Sequence, residues 1–268
     1  MVLELLERLG SVARMVRTGS VRELTGARVW ALVALAVAYG EYALRTETPA
    51  VARGAGVGAS PALALGVGLQ VLWLVALIAP LAAGGSFASD RAGGFAALQL
   101  TRGAGRARLV IARALALLVV ATAAMGAAGL GTALAAWVTF GTSPAEGVGT
   151  SVPFAPHLLE ASPFAWVLIV GAVYALSTWA LLSAGILIAA VRPHPLASRA
   201  LPPLLTLALG FSMTGRTAYV LNPFERLSFL QVHGVDWNRP SSMLAYWGLT
   251  GGVLAAAAVV GYARGEGP

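Results

Sequence analysis

The chain has 268 residues, of which 58% are hydrophobic and 11% are charged, and its formal net charge is +7. The charged share lies far below the roughly 25% of a soluble domain, and several apolar runs exceed the ~20 residues with which a helix crosses a bilayer. These features exclude a soluble globular protein and predict one membrane domain with no large soluble one.

Two missing residue types exclude further classes of function. All 18 basic residues are arginine, a bias that we attribute to a GC-rich genome. Because a P-loop holds nucleotide phosphates with a lysine, this chain does not carry a standard ATP-binding P-loop. The chain also has no cysteine, which excludes disulfides, iron–sulfur ligation by thiolates and thiol catalysis.

The first predicted element is an amphipathic helix within residues 1–27. Over residues 2–17, apolar side chains recur at helical spacing, while Glu4, Glu7, Arg8 and Arg14 fall on the opposite face. A helix with these two faces is typical of the headgroup region of a membrane.

Six membrane-spanning helices follow and form a transmembrane domain over residues 28–263. Strand-like alternation is absent, so the apolar runs predict helices rather than a barrel. Ser60-Pro61 and Ser162-Pro163 predict helix starts, since serine caps free N–H groups and proline needs no partner there. The spans are predicted at about 28–45, 61–84, 107–140, 163–191, 200–220 and 242–263.

The distribution of arginine predicts the orientation. Most arginines fall in the N-terminal segment, in residues 84–113, in residues 192–199 and in the tail. The positive-inside rule therefore places both termini on the cytoplasmic side of the cell inner (plasma) membrane. Topology and contact with anionic lipids then account for the net charge, and we expect no nucleic-acid partner.

On the opposite side, a short helix is predicted over residues 223–231. Asn222 is in the N-cap position, Pro223 follows at the first helical position, and Glu225 lies at the third. This arrangement is typical of a capped helix start, and the apolar side chains that follow place the helix at the outer interface.

Residues 84–113, here called the arginine-rich island, are the main candidate site. Ser89 is predicted as an N-cap with Asp90 in the first turn, and Phe95, Leu98 and Gln99 follow at helical spacing. We therefore expect a short amphipathic helix over about 89–100 that docks a partner. The alternative interpretation is a solvated basic loop.

The island resembles the corresponding segment of permease subunits of the ABC-2 family of ATP-binding-cassette transporters. The matching positions are the charged pair Asp90-Arg91, the glycine at Gly93 or Gly94, the apolar turn Leu98–Leu100, the basic segment Arg102–Arg108 and, at the family's lysine position, Arg113. The family often has Gly-Thr and Leu-Pro where this chain has Gly93-Gly94-Phe95 and Thr101-Arg102-Gly103.

The resemblance implies an all-α, type V exporter-like permease fold: six transmembrane helices, an N-terminal interfacial helix and a cytoplasmic coupling helix. It further implies a dimer, with itself or a related permease, and separate ATPase subunits that hold ATP and Mg²⁺. This chain would bind no cofactor and catalyse no reaction; export is the usual direction. The implied ATPase-coupling residues are Asp90, Arg91, Gly93, Gly94, Phe95, Leu98, Gln99 and Arg102.

The chain has two alternative functions besides transport. In the first, the chain is an ATPase-coupled membrane component that transmits force or supports maturation of an extracytoplasmic protein without conducting a substrate. The second is an integral-membrane enzyme, but no GxSxG, HExxH or closely paired carboxylates appear in the predicted spans.

Few other polar residues are candidates for function. Glu41 and Arg216 are candidates for the pathway or a gate, because ionisable groups in spans are often functional. Their alternative roles are an interfacial pair of Glu41 with Arg45 and contact of Arg216 with headgroups. His157, His194 and His233 lack the spacing and the common side that a metal site needs, so we expect no metal.

Overall fold

A computed structural model describes residues 2–55, 60–101, 105–141, 154–213, 221–228 and 239–264, with side chains from residue 10 onward except that of Ala55. Within these ranges the regular secondary structure is helical and no strand occurs. The prediction of an all-α chain is therefore confirmed for the described residues.

The helices are numbered in chain order among the described residues. Their bounds are α1 Val2–Leu24, α2 Ala27–Thr46, α3 Thr48–Ala55, α4 Pro61–Leu69, α5 Leu72–Ala83, α6 Ser86–Ala92, α7 Phe95–Thr101, α8 Arg106–Phe140, α9 Pro156–Ala161, α10 Pro163–Val191, α11 Pro195–Ser212, α12 Pro223–Leu227 and α13 Pro240–Arg264.

Five helical segments of the described chain are long and apolar enough to cross a membrane by length and composition. They are Ala27–Gly54, Pro61–Ala92, Arg106–Phe140, Pro163–Val191 and Pro240–Arg264. Such segments indicate a multi-pass membrane protein. The predicted span at 200–220 falls on α11, which is not one of the five, and its residues 214–220 lie outside the described ranges. The sixth span therefore stays a prediction.

The helix starts follow from local chemistry. Ser60 Oγ accepts a hydrogen bond from the Leu63 N–H at 3.2 Å, and Ser162 Oγ accepts one from Ala165. Asn222 Oδ1 accepts from the N–H groups of Phe224 and Glu225 and caps α12. These side chains satisfy N–H groups that have no partner within the helix. Of the predicted 223–231 helix, the structure shows α12, which ends at Leu227. Residues 229–231 lie outside the described ranges.

The predicted continuous span at 61–84 is two helices, α4 and α5. Between them the backbone forms hydrogen bonds to residues three positions earlier, as in a 3₁₀ turn. The Gln70 N–H donates to the Val67 carbonyl at 3.3 Å, and the Leu74 N–H donates to the Val71 carbonyl at 3.0 Å. Gly66 and Gly68 precede this break, and glycine lowers the stability of a helix interior. The break lies within the apolar core.

Helix α10 lies at the centre of the bundle and packs against α13, α8, α11 and α5. The indole N–H of Trp179, on α10, donates to the Ala114 carbonyl of α8 at 2.9 Å. On the α13 side the same ring lies against Gly251, where an added Cβ would be 2.5 Å from Cε3 of Trp179. Trp179 therefore fills the space between three helices and is held by a hydrogen bond.

This packing predicts opposite outcomes for two neighbouring glycines. Gly251→Ala forces the held Trp179 ring to move and should destabilise the protein by about 1–3 kcal/mol. Gly252→Ala meets no atom within 4 Å and should be neutral or slightly stabilising, since alanine favours helix. Thermal unfolding in detergent micelles measures both variants. Equal unfolding temperatures would contradict the proposed α10–α13 contact.

Candidate functional site

The arginine-rich island contains two short helices where one was predicted. Helix α6 ends at Ala92 and α7 begins at Phe95, with Gly93 and Gly94 between them. Gly94 has a φ of +75°, in the left-handed region that glycine adopts without steric cost. The prediction of one continuous helix over 89–100 is therefore wrong, because two helices separated by Gly93 and Gly94 occupy this region.

Ser89 was predicted to cap the helix and does not. It lies inside α6, where its hydroxyl donates to the Gly85 carbonyl at 3.0 Å. The helix begins three residues earlier, at Ser86, with Gly85 as its N-cap residue. Asp90 therefore belongs to the second turn of α6, and its role comes from side-chain contacts rather than from the helix dipole.

Four charged residues, here called the ionic junction, join three helices. Arg22 of α1 donates from both terminal nitrogens to the two carboxylate oxygens of Asp90, at 3.0 and 2.9 Å. Arg113 of α8 donates to Glu23 of α1 at 2.7 Å, and its Nη2 lies 3.9 Å from Asp90 Oδ2. Two arginines and two carboxylates thus link α1, α6 and α8.

The most buried part of the junction is the Arg113–Glu23 pair. The side chains of Arg113 and Glu23 are 7% and 13% exposed, against 43% for Arg22. Burial strengthens the attraction between opposite charges and makes the loss of one partner costly. At the exposed side of the junction, the hydrogen bonds that Arg22 donates to Asp90 raise the pKa of the Arg22 guanidinium.

Arg91 connects α6 to the ends of α10 and α13. Its guanidinium donates to the Ala189 carbonyl and, at 2.8 Å, to the Ala190 carbonyl, both in the last turn of α10. A cation at this position satisfies carbonyls that lack helical partners and complements the helix dipole. The same guanidinium lies 4.8 Å from the ring centroid of Tyr262 on α13.

Phe87 completes the anchoring of α6. Its buried ring packs edge-on against Tyr262, with the centroids 5.6 Å apart. Helix α6 is therefore attached to α1 and α8 through Asp90 and to α10 and α13 through Arg91 and Phe87. A displacement of α6 acts on all four helices.

Helix α7, in contrast, leaves apolar side chains on the surface. Phe95 and Leu98 are 45% and 46% exposed, and the Arg22 guanidinium lies 6.0 Å from the Phe95 ring centroid. Gln99 lines a cavity beside the junction. Arg102, the remaining predicted coupling residue, lies outside the described ranges.

The other predicted site residues lie away from the junction. Glu41 accepts from Arg45 one helical turn later at 2.7 Å, and both side chains are exposed. This geometry matches the alternative of an interfacial pair. Arg216 lies outside the described ranges.

Among the described residues, no cluster of histidine, aspartate and glutamate is suited to a metal ion. His194 instead caps α11, where its Nδ1 accepts from the Ala197 N–H at 3.2 Å. His233 lies outside the described ranges.

Three residues that contact the island, Arg22, Glu23 and Tyr262, were not identified as site residues from the sequence. Arg22 was counted only toward orientation, Glu23 was not singled out, and Tyr262 lies in the last turn of the final helix. Glu23 does carry one sequence signal, because it is an acid in a segment otherwise rich in arginine. Its partner lies 90 residues away in the chain, so this signal does not identify the pair.

Comparison with known proteins leaves the family open. No protein-family model matches the chain, and a search of curated proteins finds no match. Assignment to a transporter family is therefore a proposal, based on the residues of the island and their contacts.

The junction predicts unequal costs for two similar substitutions. Glu23→Gln leaves the buried Arg113 without its nearest carboxylate and should destabilise the protein by about 2–3 kcal/mol. Glu41→Gln breaks an exposed pair and should cost less than about 1 kcal/mol. Thermal or denaturant unfolding in detergent measures the difference. A loss in Glu23→Gln no larger than in Glu41→Gln would show that the buried pair does not hold α1 on α8.

Proposed function

We propose that this chain is the transmembrane permease subunit of an ABC-2-type transporter. Two such subunits, alike or related, form the translocation pathway in the inner membrane, and separate ATPase subunits dock on the cytoplasmic side. Export is the direction that the family resemblance favours. One observation carries the proposal: α6 is anchored to four helices, while the adjoining α7 leaves Phe95 and Leu98 exposed.

The two halves of the island are suited to different tasks in this proposal. The exposed apolar side chains of α7 provide a surface on which a groove of the ATPase closes. The contacts of α6 then pass a displacement to α1 and α8 through Asp90 and to the end of α10 through Arg91. ATP binding in the partner thereby changes the packing of the spans.

The composition supports a separate ATPase. The chain has no lysine for a P-loop, so ATP hydrolysis takes place in another subunit. The ATP and its Mg²⁺ belong to that subunit, and this chain supplies the docking surface and the pathway.

The proposed topology has six spans, with both termini and the island in the cytoplasm. Its critical element is α11, because this 18-residue helix contains Pro202 and Pro203 and carries the start of the predicted span at 200–220. If α11 crosses, Leu196 and Leu221 lie on opposite sides of the membrane.

Because the natural chain has no cysteine, single introduced cysteines report topology without background. We expect Leu196→Cys and Thr101→Cys to react with a membrane-impermeant maleimide only after the cytoplasmic side is opened. Leu221→Cys should react in intact cells. All three positions are exposed. Reaction of Leu196→Cys and Leu221→Cys from the same side would exclude the sixth span.

The docking surface is tested by removing its apolar side chains. In the double variant Phe95→Ala/Leu98→Ala, the ATPase that co-purifies from native membranes should bind at least about tenfold more weakly, since apolar anchors dominate protein interfaces. Leu221→Ala is the control, because it removes an exposed leucine that lies outside in the proposed topology. Binding and ATP hydrolysis rates of the purified complexes are measured.

Three results would contradict the proposal. One is purification of the wild-type chain without any P-loop ATPase. The second is wild-type ATPase binding and hydrolysis in the Phe95→Ala/Leu98→Ala variant. The third is equal loss of binding in the Leu221→Ala control.

A further inference from the structure

A half-open cavity of about 220 Å³ lies between α1, α7 and α8, beside the ionic junction. One part of its wall is apolar and includes Phe87, Phe95 and Leu109. The other part consists of charged and polar side chains: Arg14, Thr18, Arg22, Asp90, Gln99 and Arg113.

The charges around the cavity do not balance. Within the junction, Arg22 and Arg113 are matched by Glu23 and Asp90. Arg14 is a third cation on the wall, and it forms no ion pair with any residue whose side chain the structure describes, from residue 10 onward. The cavity therefore has a surplus positive charge and favours an anion.

The buried arginine adds to this preference. Arg113 is 7% exposed, and its Nε has no hydrogen-bond acceptor within the described ranges. A guanidinium whose donors are incompletely satisfied in a low-dielectric site is stabilised by a further negative charge nearby. Arginine also suits phosphate in particular, because its planar fork binds two oxygens of one group.

The position of the cavity indicates which anion reaches it. On the opposite flank of α1 an open apolar groove is lined by Val12, Val16, Leu115 and Val119, with Arg17 as its single charged residue. That apolar flank suits contact with the acyl chains of the lipids. Helix α1 then lies at the boundary of the membrane, and the cavity on its other flank lies at the depth of the lipid headgroups.

We propose that the cavity binds the headgroup of an anionic phospholipid of the phosphatidylglycerol type. Its phosphate lies beside Arg14, and its hydroxyl groups meet the polar wall formed by Thr18, Gln99 and Asp90. A choline headgroup is disfavoured, because its cationic end has no hydroxyl and would face arginines. The bound lipid bridges α1 and α7. This inference does not rest on the proposed function, since the cavity belongs to the chain alone.

The test uses the full chain, purified without its ATPase in an uncharged detergent, so that no membrane surface potential contributes. Phosphatidylglycerol is titrated and binding is followed by native mass spectrometry. We expect saturable binding of one lipid per chain and none of phosphatidylcholine. Arg14→Gln should weaken binding about tenfold or more, the cost of one hydrogen bond to a charged group.

Arg17→Gln is the matched control. It lies on the same helix, is equally exposed, and carries the same change of charge, but it lines the apolar groove on the other flank. Binding by this variant should stay within about twofold of wild type, and Arg14→Lys should retain more affinity than Arg14→Gln. Thermal unfolding without lipid checks that each variant is folded.

Four outcomes would overturn the proposal. Equal weakening by Arg14→Gln and Arg17→Gln would indicate general surface electrostatics. Equally tight binding of glycerol 3-phosphate or inorganic phosphate would indicate a free anion as the ligand. Loss of ATPase co-purification in Arg14→Gln with unchanged lipid binding would assign the cavity to the partner protein. Absence of saturable lipid binding to the wild-type chain would exclude the site.

Discussion

The arrangement of helices at the arginine-rich end depends on the buried ion pair between Arg113 and Glu23. A charge that leaves water without compensation costs several kcal/mol, so each partner requires the other once α1 lies on α8. The 2.7 Å contact therefore determines where α1 packs. The two helices are also closely packed: an added Cβ at Gly19 would lie 3.1 Å from the Cβ of Ala116, and Ser20 Oγ, which donates to the Val16 carbonyl of its own helix, lies 3.4 Å from the Ala116 carbonyl oxygen. Helix α1 is therefore part of the bundle.

The contacts around the ion pair also anchor α6 to the bundle. Asp90 reaches α1 and α8 on one side, while Arg91 reaches the end of α10 on the other, so adjacent residues of one short helix bind opposite parts of the molecule. The following Gly93-Gly94 turn separates this anchored helix from α7, whose apolar side chains stay exposed. A rigid helix beside an exposed one is an arrangement suited to transmitting an external force, because the contact surface and the anchor are distinct but adjacent.

Much of the fold was predictable because its signals are local. Ser-Pro pairs begin α4 and α10, and uninterrupted apolar runs give the extents of α2, α8 and α10 within a residue or two. The break at Gln70–Val71 and the division of the island at Gly94 were missed, because glycine marks where a helix is weak but not whether it ends. The pairing of residues in the ionic junction could not be predicted from sequence patterns. Arg22 and Asp90 are 68 residues apart, and which arginine meets which acid depends on the tertiary packing of α1.

The arginine-only composition, attributed from the sequence to a GC-rich genome, has a physical consequence at this site. Arg22 binds both oxygens of one carboxylate, and Arg91 binds two successive carbonyls. The Arg22 contact uses the planar fork of the guanidinium, and a lysine, with one compact ammonium group, does not reproduce this two-point geometry. Arg91 instead reaches both carbonyls from a single nitrogen, Nη1. A two-point contact also fixes the angle between the helices that it joins, not only their distance. The orientation of α6 relative to α1 thus depends on an arginine that a count of charges would treat as interchangeable with lysine.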